Sequence, residues 1–251
     1  MARRSGSGHS EAVRGWWREI GGLVLPAACG GCGRPRTELC EECAAALTGV
    51  PRRVRPTPEP AGLPAVHAAA PYGNAVRAML LAHKERGALG LAGALGGALA
   101  GAVGAGTGPW DGAGPLLLVP VPSARRATAA RGHDPARRIA LAAAAELRRR
   151  GVPARVLPVL RQRRPVADQS GLGARERQVN LAGALVVASG ARRLLDEGPV
   201  VLVDDLLTTG ASLAEAARAV GAAGPAATGA ATGLSAAVVA ASPSAFEINR
   251  N

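Results

Sequence analysis

Aromatic residues and lysine are scarce in this 251-residue chain. Tryptophan, tyrosine and phenylalanine make up 2% of the residues, so the core must be built from alanine, valine and leucine, and a surface that stacks many bases on aromatic rings is disfavoured. Lys84 is the one lysine, and neither Gly-Lys-Ser nor Gly-Lys-Thr occurs, which excludes a P-loop. We further expect no apolar stretch of the roughly 18 residues that cross a bilayer, and no signal peptide, so the sequence predicts a cytoplasmic protein without membrane insertion.

Acidic residues are also few, 18 against 30 basic ones, which gives a formal net charge of +12. A surface this basic attracts polyanions, and single-stranded DNA is one possible partner. The bias toward arginine and alanine is also typical of GC-rich coding sequence. The charge could therefore be a product of genomic composition rather than of function.

All four cysteines lie within 15 residues, as Cys29-Gly-Gly-Cys32 and Cys40-Glu-Glu-Cys43. Two such knuckles can place four thiolates tetrahedrally around one zinc ion, and that zinc would be structural because no coordination position is left for water. Two disulfides are an alternative, which the expected absence of a signal peptide disfavours. A redox pair is another, but redox Cys-x-x-Cys motifs occur singly.

The most informative segment is residues 200–212, in which four apolar residues precede Asp204 and Asp205, and the loop Thr-Thr-Gly-Ala-Ser leads into an alanine-rich helical pattern. A strand, a hydroxyl-bearing loop and a helix N-terminus form a cradle for an anion, because the backbone N–H groups and the positive end of the helix dipole face it. The two carboxylates would lie where sugar hydroxyls or a magnesium ion could bind. The alternative is an ordinary buried strand, with Ser212 as a helix N-cap.

This segment resembles the phosphoribosyl-pyrophosphate (PRPP) signature of type I phosphoribosyltransferases. The resemblance implies that Asp204 and Asp205 contact the ribose hydroxyls, with Mg²⁺ bound alongside PRPP. It also implies that the loop that follows holds the 5′-phosphate through Thr208, Thr209, Gly210, Ala211 and Ser212.

Strand and helix patterns alternate along the chain, which predicts an α/β fold with a parallel, doubly wound sheet. The predicted strands are 65–70, 116–121, 156–160, 181–187, 200–203 and one within 226–240. The predicted helices are 74–86, 89–103, 135–150, with Asp134 as the cap, and 213–223. The proposed domain boundaries are a disordered segment 1–15, a zinc-binding module 16–47, a Pro/Arg-rich linker 48–62, the α/β domain 63–240 and a tail 241–251.

Several blocks in order are similar to the ComF-like (competence protein F) phosphoribosyltransferase family. They comprise the cysteine knuckles, Pro71-Tyr72-Gly73, Val119-Pro120-Val121-Pro122, Arg131-Gly132-His133-Asp134, Gln169 with Asn180 downstream, and the PRPP-type segment. Two departures are His133-Asp134, where relatives commonly carry an aromatic residue and Asn, and Ser212, where many phosphoribosyltransferases carry Thr.

The resemblance to the ComF-like family implies a pyrophosphate-binding loop over 122–131, and a flexible loop over 161–173 that closes on the substrate. The residues that bind the pyrophosphate would be Ser123, Arg125, Arg126 and Arg131, with Lys84 as an additional contact. The alternative for the loop 122–131 is a solvated basic loop, and for the loop 161–173 it is plain disorder. The alternative for Lys84 is a solvated helix end. The family also implies a link to DNA uptake and to competence or DNA-processing proteins.

Three functions remain open. The first is an enzyme that transfers the ribosyl group of PRPP to an acceptor with release of pyrophosphate. The second is a non-catalytic module that senses a phosphosugar or handles single-stranded DNA. A transcriptional regulator is the third, although no helix-turn-helix pattern is visible.

Overall fold

The computed structural model describes residues 28–110, 114–166, 171, 173–224 and 233–247. The predicted disordered segment and the beginning of the predicted zinc module lie outside the described residues, as does Gln169. The helices are α1 Glu41–Ala45, α2 Asn74–Glu85, α3 Ala92–Thr107, α4 Arg125–Arg131, α5 Pro135–Arg149, α6 Ala174–Leu181 and α7 Ala211–Ala222. The strands are β1 Arg52–Val54, β2 Ala65–Pro71, β3 Leu116–Pro120, β4 Ala154–Val156, β5 Leu160–Gln162, β6 Leu185–Val187, β7 Val200–Leu207 and β8 Ser235–Ala241.

Six strands form one mostly parallel sheet in the order β1-β2-β8-β7-β3-β4. Neighbouring strands are parallel throughout the stretch β2-β8-β7-β3-β4 of this sheet. At one edge, β1 runs antiparallel to β2. Strands β5 and β6 pair antiparallel in a separate two-stranded sheet. The prediction of an α/β fold with parallel strands is confirmed at this level.

Alternate residues of β3 enter two different cores, because successive side chains of a strand point to opposite faces of the sheet. Leu116 and Leu118 belong to a core that includes α2, α3, α5 and three of the cysteines. Leu117 and Val119 belong to a second core, which contains the buried residues of α7, β5 and β6. All five residues of β3 are therefore buried, which explains its uninterrupted apolar sequence.

Helix α5 forms where its sequence predicts it. Asp134 is the N-cap, and its Oδ1 accepts a hydrogen bond from the Arg137 N–H at 3.2 Å. Pro135 occupies the first turn, where its missing N–H costs nothing. The apolar face of the helix then packs Ile139, Ala143 and Leu147 into the first core.

Several predicted elements were wrong in extent. The strand predicted over 181–187 is reduced to β6 Leu185–Val187, because α6 continues to Leu181. The segment expected to be a loop over 122–131 contains helix α4. The strand predicted over 156–160 is divided, because Pro158 lacks an N–H, and β4 and β5 belong to different sheets. Strand β7 continues to Leu207, so the two aspartates lie within the strand rather than beyond it.

The expectation that no apolar segment reaches bilayer-spanning length was also wrong. Segment Leu89–Thr107 has 19 residues and a mean hydropathy of 1.5, so by length and composition alone it could cross a membrane. Core helices pass the same test. Within it, α3 packs against α5, β2 and β8, and buries Leu95, Leu99 and Val103 in the first core.

Candidate functional site

Two adjacent carboxylates lie near the C-terminal end of β7, between the central strands β8 and β3. The Oδ1 atom of Asp204 accepts a hydrogen bond from the Asp205 N–H at 2.8 Å. The Oδ2 atom of Asp205 lies 2.8 Å from Nζ of Lys84, which comes from the last turn of α2. The Asp205 side chain is 11% exposed and that of Lys84 36%, so this is a partly buried ion pair.

The loop that follows β7 forms a concave site at the N-terminus of α7. The lining residues run without a break from Leu206 to Leu213 and also include Asp204. Helix α7 begins at Ala211, no side chain caps it, and its first turn contains no acidic residue. Its first N–H groups and the positive end of its dipole are therefore available to an anion. Ser212 lies inside the helix, so the alternative that made it the N-cap was wrong.

Gly210 gives this loop its shape. Its φ is +76°, in the left-handed region, and a Cβ there would lie 3.1–3.2 Å from carbons of Leu63, Pro56 and Pro60. The Pro-rich segment thus lies directly against the loop, and a Cβ at this position would require its neighbours to move by a few tenths of an ångström.

We expect Gly210→Ala to lower the free energy of unfolding by about 1–2 kcal/mol from the left-handed backbone alone, and by more from the proline contacts. Gly183→Ala is the matched control, because its φ is +68° and nothing lies within 4 Å of the added Cβ. Urea titration of the two variants separates backbone strain from crowding. Equal losses in both would show that the Pro-rich segment does not constrain the loop.

Burial raises the pKa of the Asp204 carboxyl well above its ordinary value, and the neighbouring charge of Asp205 raises it further. Lys84 opposes this shift. Burial disfavours the charged form of Lys84 itself, yet the Asp205 carboxylate outweighs that effect and raises the pKa of Lys84. The site therefore holds two carboxyls and one ammonium, and of the two carboxyls it is Asp204 whose charged form is disfavoured.

An acid whose pKa is raised by folding lowers the stability of the native state as it ionises. This loss begins near the unfolded pKa of about 3.9 and grows until the pH passes the folded pKa. Asp204→Asn keeps the acceptor oxygen for the Asp205 N–H, so it should raise the free energy of unfolding at pH 7 and leave it unchanged near pH 3. Asp205→Asn breaks the ion pair with Lys84, so it should not raise the free energy of unfolding at pH 7. A stability profile of Asp204→Asn parallel to that of the wild type would contradict this.

The predicted phosphate ligands are placed around the same edge of the sheet. Arg131 donates through Nη1 to Oε1 of Glu85 at 2.8 Å, and its side chain is 15% exposed. Ser123 is half-buried and Arg126 is exposed, while the side chain of Arg125 lies outside the described residues. The structure thus places Lys84 and Arg131 on acidic partners, and their predicted phosphate contacts stay predictions.

Three residues near the site were not assigned a role from the sequence. Arg177 on α6 donates to Oγ1 of Thr208 at 3.3 Å, so α6 touches the loop. Glu85 holds Arg131, and His133 packs edge-on against His83 with ring centroids 5.8 Å apart. The arginine-rich sequence around 161–177 was the signal that could have found Arg177. The partners of α2 are distant in sequence and gave no such signal.

The four cysteine sulfurs form a compact cluster within 4.8 Å of one another. Cys40 Sγ lies 3.7 Å from Cys29 Sγ and 3.6 Å from Cys32 Sγ. A tetrahedral zinc with bonds of about 2.3 Å would set its sulfurs about 3.8 Å apart, whereas a disulfide needs about 2.05 Å. The residues present fit a Cys₄ zinc site and could hold a structural zinc ion.

The thiols of the cluster differ in their surroundings: burial raises the pKa of Cys43, whereas the pKa of Cys29 is lowered. Burial would raise the pKa of Cys29, but backbone hydrogen bonds from Cys32, Cys40 and Gly31 lower it to about 6. The Cys40 N–H lies 3.4 Å from Cys29 Sγ. Because the thiolate is the form that binds metal, the knuckle backbone favours the metal-binding form of Cys29.

Comparison with known proteins adds no family to this description. No protein-family model matches the chain, and no curated protein matches it.

Proposed function

We propose that this protein has a doubly wound type I phosphoribosyltransferase fold of the ComF-like kind and binds PRPP or a related phosphosugar at residues 204–212. The observation that carries the proposal is the continuity of the site. The paired carboxylates lie near the C-terminal end of β7, and three residues separate the end of that strand from an uncapped helix N-terminus, which begins at Ala211 behind a hydroxyl-bearing loop. A sugar needs acceptors for its hydroxyls and its phosphate needs donors, and one short segment supplies both.

In this proposal each residue has a defined task. Asp204 and Asp205 accept hydrogen bonds from the ribose hydroxyls and fix the orientation of the ring. The hydroxyl groups of Thr208, Thr209 and Ser212 donate hydrogen bonds to the 5′-phosphate, as do the first N–H groups of α7. Arg131, held by Glu85 through Nη1, would meet the pyrophosphate with its remaining N–H donors, because a guanidinium matches phosphate oxygens with paired donors.

Mg²⁺ fits the same site on chemical grounds, since carboxylate oxygens are its preferred protein ligands. Asp204 and Asp205 would hold it, and it would neutralise charge on the pyrophosphate. If the protein is an enzyme, an acceptor attacks C1′ of the ribose and pyrophosphate leaves. Among the described residues, none stands out as the base for a particular acceptor.

Calorimetry with PRPP, ribose 5-phosphate and inorganic phosphate, each with Mg²⁺, tests the proposal. We expect PRPP to bind and ribose 5-phosphate to compete with it. No binding of either would contradict the assignment. Pyrophosphate release, followed with a ribosylated product from cell extract by mass spectrometry, distinguishes an enzyme from a phosphosugar-sensing module.

A second candidate function is weak binding of single-stranded nucleic acid, in keeping with a role in DNA uptake. Exposed arginines support it: Arg161 and Arg163 lie on and next to β5, and Arg175 on α6 lines a cavity together with Thr209 and Ala211. Their phosphate contacts would release counterions, so the affinity should fall with salt with a log–log slope of about −0.7 per contact. Fluorescence anisotropy of a labelled oligonucleotide measures this. Salt-independent binding, or none at low salt, would make the charge a product of composition.

A further inference from the structure

Helix α2 lies between the cysteine cluster and the two aspartates, and its buried face belongs to the core that also holds three of the cysteines. Val76, Met79 and Leu80 are at most 4% exposed in that core. Its first turn touches the knuckle directly. A Cβ on Gly31 would lie 2.6 Å from Sγ of Cys43 and 3.3 Å from Cβ of Ala75. No space separates the cysteine knuckle from the start of the helix.

A second contact fixes the turn that follows α2. A Cβ on Gly30 would lie 2.7 Å from a methyl group of Leu91, and a Cβ on Gly90 would clash with a carboxylate oxygen of Glu38. The short 3₁₀ helix Leu89–Leu91 therefore packs on the cysteine segment as closely as the first turn of α2 does. Both ends of α2 are thus braced by residues around the cysteine cluster.

The last turn of α2 makes three contacts through consecutive residues, one with the proposed phosphosugar site and two with the segment 131–133. Lys84 donates to Asp205 at 2.8 Å, and Glu85 accepts from Arg131 at 2.8 Å. The carbonyl oxygen of His83 lies 3.2 Å from Nε2 of His133. One turn of helix therefore contacts strand β7, the end of α4 and the residues that lead into α5.

We propose that the metal-bound cysteine cluster positions α2, and that α2 in turn holds Asp205 through Lys84 and Arg131 through Glu85 in the geometry that binds the phosphosugar. Lys84 and Glu85 are then positioning residues, and the cysteine site acts on ligand affinity from the far end of the helix. The part that concerns ligand affinity rests on the proposed function. The positioning of α2 does not.

The physical basis is the stiffness of a packed helix. The 12 residues of α2 span about 18 Å, and a close-packed interior transmits a displacement rather than absorbing it. Losing the metal loosens the knuckle that abuts Ala75 and Leu91, so α2 becomes free to shift or fray. A shift of about 1 Å would weaken all three contacts at once, because they come from one turn and hydrogen bonds depend steeply on distance.

Hydrogen exchange of the full-length protein, with zinc bound and after chelation, tests the first step. We expect the amides of α2 to exchange at least roughly tenfold faster without metal, with a much smaller change in α7 on the other face of the sheet. Equal changes in α2 and α7 would overturn the proposal, because the metal would then stabilise the whole fold. No change in α2 would overturn it as well.

Ribose 5-phosphate affinity, measured by calorimetry in a two-by-two design, tests the second step. Chelation should weaken binding to the wild-type protein by roughly 10- to 100-fold, and binding to Lys84→Gln by less than about 3-fold, since the coupling residue is already absent. Equal losses in both proteins would overturn the route through Lys84. Glu42→Gln is the control: it removes an exposed ion pair with Arg34 beside the knuckle, and should bind ligand as the wild type does.

The two failures are distinguishable. If the metal-bound wild type does not bind ribose 5-phosphate or PRPP at all, the proposed function fails, and the exchange of α2 still decides whether the cysteine site positions the helix. If the ligand binds equally with and without metal, the proposed function stands and the coupling is refuted.

Discussion

Replacing Asp204 and Asp205 together by asparagine should weaken ribose 5-phosphate binding by about 2–4 kcal/mol, a loss of roughly 30- to 700-fold. Each carboxylate would lose a charge-assisted hydrogen bond to a ribose hydroxyl, and the amides would leave Lys84 without its anionic partner. Inorganic phosphate should bind the double variant at least as well as the wild type, because the carboxylates repel a phosphate that brings no sugar. Calorimetry with both ligands measures the difference.

The control is an adjacent acidic pair elsewhere in the chain. Asp196 and Glu197 are both exposed, and Glu197 forms a surface ion pair with Arg155. Changing them to Asn and Gln removes the same charge without touching β7, and should leave ribose 5-phosphate affinity unchanged. Equal affinity of the wild type and the Asp204/Asp205 variant would refute the sugar-binding role of the pair.

Local sequence was enough to predict the scaffold of this site. Continuous apolar runs mark β3 and the first half of β7, because strands buried on both faces expose no polar positions. Asp134 followed by Pro135 marks the beginning of α5. Gly210 was expected in the loop between a strand and a helix, and its φ of +76° is one that favours glycine.

What the sequence did not predict depends on partners far along the chain. Strand β7 extends through Asp204 and Asp205, where two adjacent carboxylates suggest a strand end. The positive charge that stabilises the Asp205 carboxylate within the strand comes from Lys84, 121 residues earlier. The pairing of Arg131 with Glu85 spans 46 residues and is equally invisible in local patterns. These contacts depend on tertiary structure, and they concern the residues whose roles the sequence left open.

The cysteine knuckles present the opposite case, since spacing alone predicted a tetrahedral cluster. The spacing did not predict which parts of the protein surround the four cysteines. Cys29, Cys40 and Cys43 are buried among residues of α2 and α3, whereas Cys32 is exposed. The cysteine cluster is therefore part of the first core rather than a separate module.

We expect the purified protein to carry about one zinc per chain, and Cys43→Ser to lose nearly all of it. A buried hydroxyl is a poor zinc ligand, and three remaining thiolates leave the tetrahedral site open. Without metal, the two knuckles lose the bonds that join them, so we expect residues 28–47 to open locally although three of the cysteines pack in the first core. The expected result is loss of zinc in elemental analysis, together with new protease cleavage within 28–47.

Glu42→Gln is again the matched variant, because Glu42 lies next to Cys43 and its pair with Arg34 is exposed. It should keep its zinc and its resistance to protease. Titration of the thiols decides between metal and disulfide. Four thiols should become reactive per chain after denaturation in chelator without reductant, since the sulfurs lie 3.6–3.7 Å apart rather than at bonding distance. Fewer than four reactive thiols, or a wild-type protein without zinc, would show that the knuckles serve another chemistry.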